Sequence, residues 1–165
     1  MEARRLSKLV AELFQLSLRI RHPSLDPADL SREFRIEAEH SFRAGDPRPS
    51  RSGLAPASVH AESYWLGTLN PASWIRLPSA DPRLQLAQKG LGAMVGRSLG
   101  SALTLTARFL RLHAETLQRI RNEGGQISLL VGVPAGEVSS FSLVPEVSRI
   151  FGDLGVALEF ELTGD

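Results

Sequence analysis

The pattern that most constrains the fold lies in the C-terminal part of the chain, between Gly124 and Leu162. Apolar residues at every second position predict a strand over residues 126–133, since alternate side chains of a strand point to opposite faces. Pro145 and Gly155 bracket a short helix, because proline is well tolerated in the first helical turn and glycine readily takes the left-handed conformation that ends a helix. The same alternation returns up to Leu162. This order of strand, helix and strand indicates an α+β domain.

A similar order is found near the N-terminus. Apolar and polar residues alternate from Phe14 to Ile20, which predicts a half-buried strand. Asp26 is a good N-cap and Pro27 a good first helical residue, so we expect a helix to begin there. The spacing of the apolar residues that follow predicts that this helix ends near Phe34.

Two further strands are predicted in the first half of the chain. Residues 36–46 contain a short or irregular strand that places His40 and Phe42 on one side, and His40 is expected at the edge of the core. Residues 60–69 contain a second strand, because they are rich in aromatic and other β-favouring residues. Residues 47–58, rich in Pro, Ser and Arg, are expected to form a mobile loop.

The second half of the chain begins with an irregular insertion over residues 71–100, where glycines and apolar residues give no clear period. Residues 101–123 then follow steps of three and four, which predicts one amphipathic helix of about six turns. We therefore expect a single domain over residues 1–165, with a lead-in at residues 1–12. Its predicted architecture is a mainly antiparallel sheet with helices packed on one face. A ferredoxin-like β-α-β-β-α-β core is extended by a C-terminal β-α-β unit.

Charge is distributed unevenly along a chain whose net charge is +1. Residues 1–125 hold 18 Lys/Arg and 12 Asp/Glu, a net of +6, whereas residues 126–165 hold one Arg against six acids, a net of −5. Either the two ends of one fold attract each other weakly, or an acidic strand face meets a basic partner. The chain has no cysteine, which excludes disulfides and thiolate metal sites and fits a cytoplasmic location. No stretch reaches the ~18 apolar residues that would span a membrane.

Several segments together carry a resemblance to a known family. They are Leu25-Asp-Pro27, Phe34-Arg-Ile36-Glu-Ala-Glu-His-Ser-Phe42-Arg-Ala-Gly45-Asp46, Glu62-Ser-Tyr64-Trp65, Ile120-Arg-Asn-Glu-Gly124-Gly125, residues 127–133, Phe141-Ser-Leu143, Pro145-Glu146 and Leu154-Gly155-Val156. In order and spacing the chain resembles, over about residues 13–162, the bacterial domain-of-unknown-function 4279 family. Residues 75–100 depart from the family by being longer and richer in glycine. The resemblance implies the fold and a bacterial source, and the family brings no established activity.

The candidates for reaction chemistry are few. His60 and Glu62 are two residues apart, a spacing that puts them on one face of a strand, where they could hold a divalent metal or act as a base and its orienting partner. No third ligand is spaced nearby, so a surface pair is the expected arrangement. The chain has neither a Gly-x-Ser-x-Gly elbow nor a phosphate-binding loop. We predict neither a cofactor nor a metal.

Binding to nucleic acid has a separate set of candidate residues. A loop with several arginines could contact phosphates, and aromatic residues on a sheet could stack on bases. The strand at residues 126–133 has no aromatic residue, which disfavours the common RNA-binding sheet. The residues that could contribute are Arg43, Arg48, Arg51, Tyr64 and Trp65.

The expected function is a non-catalytic binding module with a protein partner, in the manner of an immunity-type protein. This expectation follows from the absence of reaction motifs, the polar sheet face and the loop that carries Arg43, Arg48 and Arg51. The alternatives are a small metal-dependent or hydrolytic enzyme that uses His60 and Glu62, and a nucleic-acid-binding sheet protein.

Overall fold

A computed structural model of the chain describes residues 14–49, 58–70, 99–134 and 143–163. Within these residues there are five strands: β1 Gln15–His22, β2 His40–Phe42, β3 Ser63–Leu69, β4 Gln126–Pro134 and β5 Ala157–Thr163. The same residues form four helices: α1 Pro27–Phe34, α2 Leu99–Leu112, α3 Ala114–Asn122 and α4 Pro145–Leu154. None of these helices has both the length and the apolar character needed to cross a membrane.

The strands form one mixed sheet in the order β2-β3-β1-β4-β5. The pairs β2/β3, β3/β1 and β1/β4 are antiparallel, and β4/β5 is parallel. Helix α4 lies in the connection between β4 and β5, because parallel neighbours need a crossover rather than a hairpin. The predicted α+β class is therefore confirmed.

One face of the sheet is lined by the apolar side chains that the alternation predicts. Leu18 of β1 lies between Gly67 of β3 and Leu129 of β4, and Ile20 lies between Trp65 and Ile127. Buried residues of all four helices join these side chains in one core cluster. They include Leu30, Phe34, Leu103, Leu110, Leu117, Ile120, Val147 and Phe151. We call this side of the sheet the inner face and the opposite side the outer face.

Local sequence signals set the ends of the helices. The carboxylate of Asp26 accepts a hydrogen bond from the N–H of Ala28 at 3.0 Å, and α1 begins at Pro27, as predicted. Gly155 has a φ of 64° and ends α4 in the left-handed conformation. Arg35 ends α1 in the same conformation, with a φ of 54°, although it is not a glycine.

The prediction of one continuous helix over residues 101–123 is wrong, because the structure has two helices that meet at His113. The N–H of His113 bonds to the carbonyl of Leu110, three residues back, at 3.0 Å. Its ring packs against Phe34 of α1 and Phe109 of α2, with ring centroids 5.0 and 4.9 Å away. The contact with α1 ties this junction to another helix, and no local pattern encodes that contact.

The other expectations concern the first half of the chain. The predicted strand over residues 36–46 is limited to β2, and His40 is exposed on the outer face rather than at the edge of the core. Most of the predicted insertion at residues 71–100, most of the loop at residues 47–58 and the whole lead-in lie outside the described residues, and residues 99 and 100 begin α2.

Candidate functional site

The outer face carries side chains that alternate with those of the core. Aligned residues of neighbouring strands form rows across this face. From β2 towards β5 they are Phe42–Tyr64–Arg21–Gln126, His40–Leu66–Arg19–Ser128–Ala157, Thr68–Ser17–Leu130–Glu159 and Gln15–Gly132–Glu161. Within the described part of the chain, none of these residues belongs to the core cluster. Ser17 and Ser128 in these rows are buried, so it is the rings and the charged side chains of this face that are partly or fully exposed.

Four rings meet at the β2–β3 side of the outer face, and we call His40, Phe42, His60 and Tyr64 the ring cluster. Phe42 stacks on His60 and Tyr64, with centroids 3.6 and 5.2 Å apart and planes inclined by 21° and 13°. His40 meets Phe42 and Tyr64 edge-on, with centroids 5.7 Å away in each case. His40 is exposed and the other three rings are half-buried. Such ring pairs are worth about 0.5–1.5 kcal/mol each beyond the area they bury.

Backbone pairing holds the ring cluster in place. The register of β2 with β3 aligns Phe42 with Tyr64, so their side chains share the outer face. His60 precedes β3, and its N–H donates to the carbonyl of Asp46 at 2.9 Å, while the N–H of Gly45 donates to the His60 carbonyl at 2.8 Å. Gly45 has a φ of 89°, which a turn needs and most residues avoid. These bonds fix His60 above Phe42.

Two ion pairs lie beside the ring cluster. The guanidinium of Arg21 donates to the carboxylate of Glu62, with Nε 2.7 Å from Oε1, and the side chain of Arg21 is 46 % exposed. The guanidinium of Arg19 donates to the carboxylate of Glu159 and lies 3.4 Å from the hydroxyl of Ser128. A hydrogen bond from Ser128, followed by the charge of Arg19, holds the pKa of Glu159 below its usual value. Both arginines of this face are thus paired with a carboxylate.

The structure gives the two residues of the predicted pair, His60 and Glu62, different partners. His60 is stacked on Phe42, and Glu62 holds Arg21 in the ion pair described above. Both side chains are therefore engaged with partners other than each other. Across the described ranges, no group of three or more His, Asp or Glu residues is arranged to hold a metal ion.

Of the predicted loop arginines, the structure describes Arg43 and Arg48. Arg43 follows β2, but its guanidinium donates to the carboxylate of Asp26, the N-cap of α1, with Nε 3.1 Å from Oδ1. Arg48 is exposed, and its N–H bonds to the carbonyl of Ser58 at 3.1 Å. Arg51 lies outside the described residues.

Tyr64 and Trp65 point to opposite faces of β3, because neighbouring residues of a strand alternate. Tyr64 is in the ring cluster. Trp65 is fully buried on the inner face, where its Nε1 donates to the hydroxyl of Ser31 at 2.9 Å. Its ring packs against Phe34, with centroids 5.7 Å apart. We therefore assign Trp65 to the core and leave it out of the candidate site.

Sequence reasoning did not bring His40, Phe42 and Arg21 together on one surface. A signal for two of them was present. His40 and Phe42 are two residues apart, and Tyr64 must lie opposite the more apolar Trp65. Pairing β2 with β3 so that His40, Phe42 and Tyr64 share one face would have brought these three rings together.

A concavity of about 690 Å³ lies between α1 and the end of α3. Its carboxylates have partners in the fold. Asp29 pairs with Arg32, and Glu33 accepts hydrogen bonds from the hydroxyl of Thr116 and from the ring of His113. Those two bonds hold the pKa of Glu33 below its usual value. The carboxylates of Asp29 and Glu33 at this cleft therefore take part in contacts within the fold, and those of Glu33 join α1 to α3 and the residue before it.

Comparisons of the chain with protein-family models, with curated proteins and with solved structures find no match. The family resemblance thus stays a prediction, and the function must be argued from the outer face.

Proposed function

We propose that this protein is a binding module that contacts a protein partner through the outer face of its sheet, with the ring cluster as the anchor. The observation that carries the proposal is the position of four rings on the face opposite the core, three of them half-buried and one exposed. A fold gains little from leaving such rings partly in water, whereas a partner that covers them gains their full burial.

The surroundings of the ring cluster resemble the anatomy of protein interfaces. Aromatic residues and arginine are enriched at their centres, and a polar rim excludes water around them. Here Tyr64 and Phe42 supply the aromatic centre, and the pairs Arg21–Glu62 and Arg19–Glu159 supply a polar border. A rigid tyrosine ring also loses little conformational entropy when it is covered.

The two alternative functions have weaker support. Nucleic acid is held chiefly by cations that neutralise phosphates, and both arginines in the rows of the outer face are already paired with carboxylates. Hydrolysis or metal-dependent chemistry would need His60 and Glu62 to act on one substrate, and each is engaged with another residue.

Two parts of this proposal concern the fold and the setting of the protein. The order β2-β3-β1-β4, with all three pairs antiparallel, supports a ferredoxin-like core to which α4 and β5 are added. The lack of cysteine supports a cytoplasmic location. An immunity-type role, with a toxin as the partner, is one form of the proposal, and it predicts a toxin gene beside the gene for this chain.

Site-specific photo-cross-linking in cells of the source organism tests the proposal. A benzophenone amino acid is placed at position 64, in the ring cluster, and as a control at position 108, which is exposed on α2. We expect a discrete protein adduct from position 64 that position 108 does not give. An adduct with nucleic acid, or the same adducts from both positions, would contradict the proposal.

A further inference from the structure

The outer face has an excess of negative charge at one end. Among the described residues, its positive groups are Arg19 and Arg21, and its carboxylates belong to Glu39, Glu62, Glu159 and Glu161. With the histidines neutral, two positive and four negative charges give the described residues of this face a net charge of −2. The face would therefore repel a polyanion and attract a cation.

The charge excess and the ring cluster lie at opposite ends of the strands. The ring cluster lies in the rows of Tyr64 and Leu66, while Glu159 and Glu161 lie in the rows of Ser17 and Gln15. Glu161 is exposed, and within the described ranges its carboxylate has no ion pair. Glu39 accepts a hydrogen bond from the hydroxyl of Thr68 and adds a charge in the same half of the sheet.

We infer that the partner presents a basic segment: an apolar or aromatic side chain covers Tyr64, and a lysine or arginine lies over Glu161. This inference rests on the proposed function, because it specifies the partner of that same face. Tyr64 is aligned with Arg21, which is six residues along β1 from Gln15 in the row of Glu161. Six residues of strand span about 20 Å, and the three strand intervals from β3 to β5 add about 14 Å across the sheet.

The straight-line separation of the two contacts is therefore about 24 Å, which about seven residues of extended chain would cover. The face therefore favours a partner segment in which a basic residue lies at this distance from an apolar anchor. Complementary charge of this kind speeds association and sets orientation, while the aromatic anchor supplies most of the affinity.

A phage-displayed library of random dodecapeptides, selected on the immobilised full chain, tests this inference. We expect the selected peptides to contain an aromatic or large apolar residue and an excess of Lys and Arg about seven residues away. Their binding should be lost with Tyr64→Ala and weakened about fivefold or more with Glu161→Lys, and it should weaken as salt is added. Glu115→Lys, an equal change of charge at an exposed site on α3, is the matched control and should leave binding unchanged.

The outcomes separate the inference from the proposed function on which it rests. One outcome is a set of peptides that bind through Tyr64, lack an excess of Lys and Arg, and bind the Glu161→Lys variant as well as the unaltered chain. This outcome would overturn the inference of a basic partner and leave the proposed function standing. Failure to select any peptide that depends on Tyr64 would count against the proposed function and the inference with it. Circular dichroism of each variant confirms that the fold is retained.

Discussion

Gly67 in β3 is the position at which the core leaves no room for a methyl group. An alanine Cβ there would lie 2.4 Å from Cη2 and 2.7 Å from Cζ2 of the Trp65 indole, and 2.9 Å from Cγ2 of Ile36. Carbon atoms in contact are normally about 3.5–4.0 Å apart. The indole cannot retreat, because it is fully buried, donates a hydrogen bond to Ser31 and packs against Phe34.

We expect Gly67→Ala to lower the free energy of unfolding by about 2 kcal/mol. Overpacking costs about 1–3 kcal/mol, and displacement of the indole from Ser31 adds about 1 kcal/mol. Replacing glycine inside a strand returns about 0.5–1 kcal/mol. In a chain of this size a loss of ~2 kcal/mol lowers Tm by about 4–8 °C. Urea and thermal unfolding measure the loss, and a red shift of Trp65 fluorescence, recorded in a Trp74→Phe background, reports movement of the indole.

Gly152→Ala is the matched control, since it makes the same chemical change in α4. No atom lies within 4 Å of the Cβ that would be added there. The control should be stabilised by about 0.5–1 kcal/mol, because alanine is the better helix former. Our description of the packing around Gly67 would be refuted if Gly67→Ala unfolded within about 0.5 kcal/mol of the unaltered chain with unchanged fluorescence.

Three further predictions concern the polar groups of the fold. The pKa of Glu159 is lowered in the folded chain, so its contribution to stability is present above its unfolded pKa and is lost as the pH falls through the folded value. Urea titrations from about pH 6 to about pH 3 should therefore show a smaller loss of stability for Glu159→Gln than for the unaltered chain, and equal losses would refute the shift. Nδ1 of His22 accepts two backbone N–H groups, at 3.1 and 2.9 Å. His22→Ala should thus cost about 1–3 kcal/mol in urea unfolding, and nitrogen NMR should show Nδ1 unprotonated; a protonated Nδ1 would contradict this arrangement. Gly125→Ala would put a Cβ 2.7 Å from the carbonyl oxygen of Ile120, and calorimetry should show a loss of about 1–3 kcal/mol rather than a neutral effect.

Elements whose ends are set by neighbouring residues could be predicted from the sequence. Asp26 and Pro27 begin α1, and Pro145 and Gly155 bracket α4, because capping uses backbone groups within one turn. The alternation in β1 likewise fixed which residues face the core. These features depend on the local chain and need no knowledge of what packs against it.

Contacts between distant parts of the chain could not be predicted in this way. Arg19 pairs with Glu159, 140 residues away, because β4 lies between β1 and β5 and brings their side chains within reach. The ring of His113, at the junction of α2 and α3, packs against Phe34, which lies on another helix. The choice of both Tyr64 and Trp65 as residues that could stack on bases did not apply the alternation of a strand, a rule that the sequence alone supplies.

The most direct test of the central claim is the affinity of the cross-linked partner, purified and measured by titration calorimetry. We expect Tyr64→Ala to weaken binding at least ~30-fold, the loss of ~2 kcal/mol that marks an interface anchor. Arg108→Ala, on the exposed side of α2, should stay within about twofold of the unaltered chain. A correctly folded Tyr64→Ala variant that binds the partner with unchanged affinity would contradict the assignment of the ring cluster as the binding surface.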